Sequence, residues 1–504
     1  MDTKPYWSDS DELPKFHALT QSLDVDVVVV GAGIMGVTAA YLAKQAGKRV
    51  ALIDRGRIAS GDTSHTTAHL TPVTDSRLYE LKQDFNRDVA RAVWEAGEAA
   101  IDQIVSLIRR EKIDCEFQWL PGYLHAPLRE LDSKKISELE KEAQTAADLE
   151  IRHEFLPEIP YLKVPGIRFP HQALFHPLKY LSALVAKIPG DGSYVFENTA
   201  ADEIENEPLA VKSGRHRIRS NYLILASHDP IQGLTGTVSA MLFQSKLALY
   251  SSYAIGAKIP SKTMPTALFW DNADPYDYVR VTPYSDYDYV IYGGEDHKTG
   301  QIEDTEEPYR RLEQRLRAIL PQAQIDHRWS GQVIETNDGL PYIGETAEKQ
   351  FAGTGFAGNG MTFGTLAAMM AVDALQGLKN PWTDLFDMHR KKLLGGTWSY
   401  LAENKDYPYY LVRNFLAKAD GESVDEVKKG EGKILKLNGQ RVAASRDGNG
   451  KLSLCSAICT HMRCVVDWNN AEKTWDCPCH GSRFKPNGEV ISGPAEEPLA
   501  PVKA

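Results

Sequence analysis

The chain has 504 residues, 42% of them hydrophobic, which supports several buried cores and an expectation of about two to four domains. Its formal net charge of −11, without a long basic run, argues against nucleic acid or an anionic membrane as a partner. No apolar run reaches the ~18 residues of a bilayer span, and residues 1–23 lack the apolar core of a secretory signal, so a cytoplasmic address is expected.

Residues 24–54 read as an apolar strand over 27–30, a glycine turn, a helix over 35–45 and a second strand over 49–54. Ala90, Val93, Ile101, Ile104 and Leu107 recur at helical spacing and mark one helical region over 76–110. Short strands and an acidic helix over 134–147 follow. Strands are expected over 194–204 and 222–227, and the tyrosine-rich alternation over 241–292 suits a broad antiparallel sheet. A helix over 309–320 precedes the turn-rich NDGLPYIG. Next comes the corner FAGTGFAGNGMTFGTLAAMMAVDAL, whose helix is expected to stop at Asn380-Pro381. Residues 381–420 read as a connector. From residue 425 onward, short strands and Gly/Asn turns read as an all-β module.

Five of the six cysteines, Cys455, Cys459, Cys464, Cys477 and Cys479, fall within one short stretch beside histidines, which argues for a metal rather than a disulfide framework. Cys115 stands alone, as a core or surface thiol. CTHMRC and CPCHGS give C-x-H and, fifteen residues further on, C-x-x-H. A mixed-ligand [2Fe–2S] cluster needs two thiolates on one iron and two imidazoles on the other, so Cys459, His461, Cys477 and His480 are the candidate ligands. Structural zinc is the rival reading. The C-x-H spacing, the surplus cysteines and the Pro-Cys-His-Gly-Ser string weigh against it.

Gly31-x-Gly33-x-x-Gly36 follows a strand, opens a helix, and is followed by Asp54 at the end of the next strand. Gly31 makes the turn, Gly33 admits a pyrophosphate, Gly36 lets helix pack on strand, and Asp54 accepts ribose hydroxyls. Arg55 joins Asp54 as a cofactor-binding candidate. A second match, Gly353-x-Gly355-x-x-Gly358, has no strand ending in an acid behind it. A helix N-terminus there could still point N–H groups at an anionic ligand part. One dinucleotide is therefore expected.

The two cysteine boxes resemble those of the Rieske proteins of respiratory and photosynthetic cytochrome complexes. That resemblance implies a disulfide between Cys464 and Cys479 bracing the two loops. Met462-Arg463 departs from the usual apolar residue and glycine, and Arg463 puts a cation near the cluster. Cys455 has no role in the pattern and reads as a structural thiol. The dinucleotide fingerprint, IASGDTSHTTAHLTP, WSGQVIETNDGLPYIG and the glycine-rich corner together resemble the FAD-dependent oxidoreductases of the D-amino-acid oxidase, sarcosine oxidase and dimethylglycine dehydrogenase group. With the terminal module, the chain resembles bacterial FAD–Rieske fusion proteins.

The resemblance implies an α/β FAD-binding domain (Rossmann-like, glutathione-reductase type) with an inserted antiparallel α+β substrate domain and a C-terminal all-β Rieske domain. The expected division is an N-terminal segment 1–23; an FAD-binding domain over 24–85, 170–235 and 325–380; a substrate domain over 86–169 and 236–324; the connector 381–420; and the Rieske domain 421–504. It places Gly358, Asn359, Gly360, Met361 and Thr362 at the flavin, although Asn359 and Met361 depart from the commoner corner. It also implies a covalent bond from His65 to the flavin; the alternative is a non-covalent loop in which Thr63 and Ser64 hydrogen-bond phosphate. His228 stands where oxidases commonly have glycine.

The implied function is oxidation of an amine or amino-acid derivative by hydride transfer to FAD, with electrons leaving through the cluster to a protein or quinone-like acceptor. An NAD(P)H-fed flavin/Rieske reductase and a non-enzymatic redox sensor are the alternatives. No catalytic base is identified. Tyr250, Tyr253, Trp270, Tyr276, Tyr278 and Arg280 are candidates to line a substrate pocket, and Arg280 or Arg328 could clamp a substrate carboxylate.

Overall fold

The computed structural model describes residues 3–10, 13–129, 132–228, 246–390 and 419–502. Most of the expected connector and residues 241–245 of the tyrosine-rich region lie outside them.

Val27–Val30, Val50–Ile53 and Tyr222–Leu225 are apolar along their whole length because they are interior strands of one parallel sheet, covered on both faces. The sheet runs Tyr342–Ala347, Gln350–Thr354, Tyr222–Leu225, Val27–Val30, Val50–Ile53, Tyr194–Phe196, and only its first pair is antiparallel. Helices Ile34–Gln45 and Gly360–Leu375 pack together on it. The contact is close: a Cβ on Gly364 would stand 2.8 Å from Ile34 Cγ2. The helix 360–375 ends before Asn380-Pro381, because Gly377 takes a left-handed φ of +69° and stops it. The region 76–110 is two helices, Leu78–Asp84 and Arg87–Glu111. Asn86 separates them, and its side chain accepts the Val89 N–H at 2.9 Å.

A nine-stranded sheet carries the tyrosine-rich segment. Strands Leu247–Ile259, Asp288–Lys298 and Tyr278–Pro283 pair antiparallel. The sheet is not wholly antiparallel, however: Leu268–Asp271 runs parallel to Gln118–His125, a strand delivered from far away in the chain. Strand Gln324–Thr336 pairs along Leu247–Ile259. The sheet thus draws on residues expected in the FAD-binding part, and helix Arg87–Glu111, expected with the substrate domain, packs on helix Gly360–Leu375.

Residues 419–502 form a three-stranded and a four-stranded antiparallel sheet around a small core that includes Trp475, Phe484 and the buried Cys455. This unit docks on the edge of the nine-stranded sheet. The Ala471 N–H donates to Thr305 Oγ1 at 3.0 Å, and Gln301 Nε2 donates to the Pro478 carbonyl at 3.0 Å. Among the described residues no helix is long and apolar enough to cross a membrane.

Candidate functional site

The turn after Val27–Val30 is built for backbone contact. Gly31 has φ +95°, and a Cβ there would stand 2.4 Å from the Ala226 carbonyl oxygen; on Gly36 it would stand 1.8 Å from the Gly31 oxygen. No side chain fits either position. Asp54 accepts the Ala32 N–H (2.8 Å) and the Gly56 N–H (2.7 Å), so its carboxylate braces the turn while keeping lone pairs for a ribose. Burial raises its pKa. The Arg55 guanidinium, in contrast, donates to the Ile491 carbonyl of the C-terminal unit. Thr63 Oγ1 accepts the Ile34 N–H at 3.2 Å at the start of the helix, and Ser64 Oγ donates to the Gly61 carbonyl.

From this turn a cavity of about 900 Å³ runs between the two large sheets. His65, His228, Gly358, Asn359, Gly360 and Met361 line it. His65 Nδ1 lies 3.0 Å from the Gly61 oxygen, which leaves Nε2 as the ring nitrogen for a further bond. The Gly358 N–H donates to Asp75 Oδ2 at 2.8 Å. Asn359 Nδ2 donates to the carbonyls of Thr71 (3.2 Å) and Val73 (2.9 Å), and Thr362 Oγ1 to that of Thr71. These side chains therefore tie the corner to residues 71–73. His228 has φ +66°, and its Nε2 lies 3.5 Å from Asp62 Oδ2.

Of the expected pocket residues, Trp270, Tyr276 and Tyr278 line the cavity; Tyr250, Tyr253 and Arg280 do not. Tyr253 packs edge-on against Tyr309 on the side of the docked unit. Neither arginine is a carboxylate clamp. Buried Arg280 donates to the carbonyls of Thr67, Ala68 and Phe175, and Arg328 pairs with Glu306. Sequence reasoning missed Asp75, Ser252 and Asp296, which also line the cavity. No local spacing announces them; the fold brings them together. Burial, with Asp75 and Asp277 nearby, pushes the Asp296 carboxyl up to about 7, and its Oδ1 is buried without a hydrogen-bond partner. Burial and the Arg280 charge hold His69 neutral, down to about 3.

Each cysteine box closes on itself. The Cys459 N–H donates to the Cys464 carbonyl, the Cys477 N–H to that of Ser482, and the Gly481 N–H to that of Cys477. Cys464 and Cys479 form a disulfide that joins the boxes. The Cys459 and Cys477 thiols hydrogen-bond to each other, and the His461 and His480 rings lie 4.9 Å apart. Two sulfurs paired beside two imidazoles is the donor set a mixed-ligand [2Fe–2S] cluster requires. Burial holds His461 down to about 4 and His480 to about 3, so both stay in the neutral, ligating form. The glycine cradle and long cavity likewise fit a dinucleotide-linked flavin.

Residues 26–374 match the family of FAD dependent oxidoreductases, and residues 420–503 match the Rieske [2Fe-2S] domain. The chain belongs to that FAD-dependent oxidoreductase family and carries a Rieske domain; it is an oxidoreductase. It is similar to the Rieske 2Fe-2S iron-sulfur protein YhfW of Bacillus subtilis (strain 168), with 34% identity across 98% of this chain and 96% of that one. It is 22% identical to the gamma-glutamylputrescine oxidoreductase of Escherichia coli (strain K12), covering 74% and 88% of the two chains. The fold matches glycine oxidase from Geobacillus kaustophilus with a TM-score of 0.58 at 17% identity, over 74% of this chain and all of that one.

Proposed function

We propose that this enzyme oxidises a small amine or amino-acid derivative at the C–H bond next to nitrogen and passes the electrons, one at a time, through its Rieske cluster to an external protein or quinone-like acceptor. Bound FAD supplies two-electron acceptance and the cluster one-electron transfer. Gly31, Gly33, Gly36 and Asp54 hold the dinucleotide, with the 358–362 corner at the flavin. His65 offers Nε2 for the covalent link. Cys459, His461, Cys477 and His480 hold the cluster.

The observation that carries this reading is Gln332. It lines the cavity, and its side chain donates to the Gly481 carbonyl, one residue after His480. An anaerobic titration with substrate tests it. The protein should take up about three electrons, two on the flavin and one on the cluster, with a mixed-ligand [2Fe–2S] signal by EPR. A Cys459→Ser variant should stop at about two. Rapid flavin reduction by NADH or NADPH, with none by any amine, would replace this reading with that of an inward-flowing reductase.

A further inference from the structure

The inner end of the cavity is aromatic and acidic. Trp270, Tyr276 and Tyr278 line it together with Ser252, Asp75 and Asp296. The two acids are not equivalent. Asp75 accepts the Gly358 N–H and a hydrogen bond from Tyr276, so both neighbours disperse its charge. Asp296 is hydrogen-bonded to Ser252, but its Oδ1 is buried and has no donor. A buried acceptor left unmet costs free energy that a ligand's N–H would recover.

Among the described residues, each cation that lines the cavity is already engaged, Lys485 by Glu489 on the Rieske unit. The guanidiniums among the described lining residues belong to Arg55 and Arg77. Arg55 is bound to the Ile491 carbonyl, and Arg77 to those of Thr74 and Asp271. Arg280 spends its donors on backbone carbonyls behind the wall. A substrate carboxylate would therefore face Asp75 and Asp296, against which the described lining residues set the Arg77 guanidinium, already bound to two backbone carbonyls.

We propose that Asp296 determines specificity by pairing with the ammonium group of an alkylamine that carries no carboxylate, held among Trp270, Tyr276 and Tyr278. This inference rests on the oxidase reading and narrows its substrate class. An ammonium has three donors for Asp296 Oδ1 and its surroundings, and aromatic faces attract it further. The other groups facing Asp296 strengthen the preference. Asp75, Asp274 and Asp277 add negative charge, and His69 is neutral. Arg315 and Arg129 pair with Asp277 and offset part of that field. The Asp296 carboxyl, held up at about 7, ionises as pH rises, so cation affinity should increase between pH 6 and 8.

Two isosteric probes that lack a hydrogen next to the charged centre test this without turnover: tert-butylammonium and pivalate. With oxidised holoprotein, tert-butylammonium should perturb the flavin spectrum at a concentration at least ~10-fold below any effect of pivalate, and should bind more tightly at pH 8 than at pH 6. Asp296→Asn should weaken tert-butylammonium by roughly tenfold and flatten the pH dependence, with flavin content unchanged. Asp296→Glu should restore part of the affinity. Pivalate binding as tightly as tert-butylammonium to the wild-type protein overturns the proposal, as does an Asp296→Asn variant that keeps full affinity. The two readings fail separately. Flavin reduction by glycine or sarcosine without tert-butylammonium binding removes the cation site alone. Cation binding without flavin reduction by n-butylamine, putrescine or any amino acid removes the oxidase reading.

Discussion

Gln332 Nε2 donates a 2.8 Å hydrogen bond to the carbonyl oxygen of Gly481, across the boundary between the large sheet and the Rieske unit. The Gln332 backbone N–H is held by Asp62 Oδ1 at 2.8 Å, and Gly331 packs against His65. Gly481 has φ +72°, and a Cβ there would stand 2.7 Å from Leu249 Cβ, so only glycine lets the cluster loop sit this close. Gln332→Ala leaves a buried carbonyl unmet, at a cost of about 1–3 kcal/mol to the docking. Stopped-flow mixing with substrate should show an unchanged rate of flavin bleaching and cluster reduction slowed by roughly tenfold. Equal slowing of both phases would mean that Gln332 serves the cavity and not the junction.

His65 can be tested by where the yellow colour goes. Acid precipitation of the wild-type protein should carry flavin into the pellet, and His65→Ala should release it to the supernatant. Flavin wholly in the wild-type supernatant would leave the loop as a non-covalent one.

The Rieske unit holds a buried ion pair: Arg483 Nε donates to Asp476 Oδ1 at 3.1 Å, with side chains only 8% and 4% exposed. Removing one partner strands the other charge. Asp476→Ala should destabilise this unit by about 3–5 kcal/mol. The loss is measurable as a lower temperature for disappearance of the cluster's visible absorption.

Two histidines outside the cysteine boxes should make stability fall in acid. Burial holds His125 and His297 down to about 4, below the ordinary value near 6.5. Between these values the unfolded chain binds the proton and the folded chain does not. Stability is therefore complete above about pH 6.5 and is lost as pH falls toward 4. Urea midpoints measured across this window should show a slope smaller by about one proton in His125→Gln and again in His297→Gln. Unchanged slopes would mean that neither ring is neutral in the folded protein.

Much of the fold is legible because local rules and tertiary outcome agree. Four consecutive valines bounded by a glycine turn can hardly be anything but an interior strand, and Gly31 and Gly36 occupy positions where a Cβ collides with backbone. The helix stop at Gly377 was legible in principle, since a glycine in the left-handed region ends a helix before a later proline can. The break at Asn86 was carried by a cap residue, a weaker signal than the apolar period that runs across it.

The candidate site divides along the same line. Cysteine and histidine spacing alone nominated the candidate cluster ligands, because a metal site made of two short loops is encoded locally; the grouping of glycines and Asp54 did the same for the candidate dinucleotide turn. Only the tertiary structure decided what the arginines do. Arg280 looked like a carboxylate clamp, yet three backbone carbonyls brought from residues 67, 68 and 175 consume its donors. Only the tertiary structure brought Asp75, Ser252 and Asp296 to one end of one cavity, and set Gln332 against Gly481. Partners delivered from separate segments of the chain leave no periodicity to read: burial and pairing belong to the assembled fold, and no short window of sequence contains them.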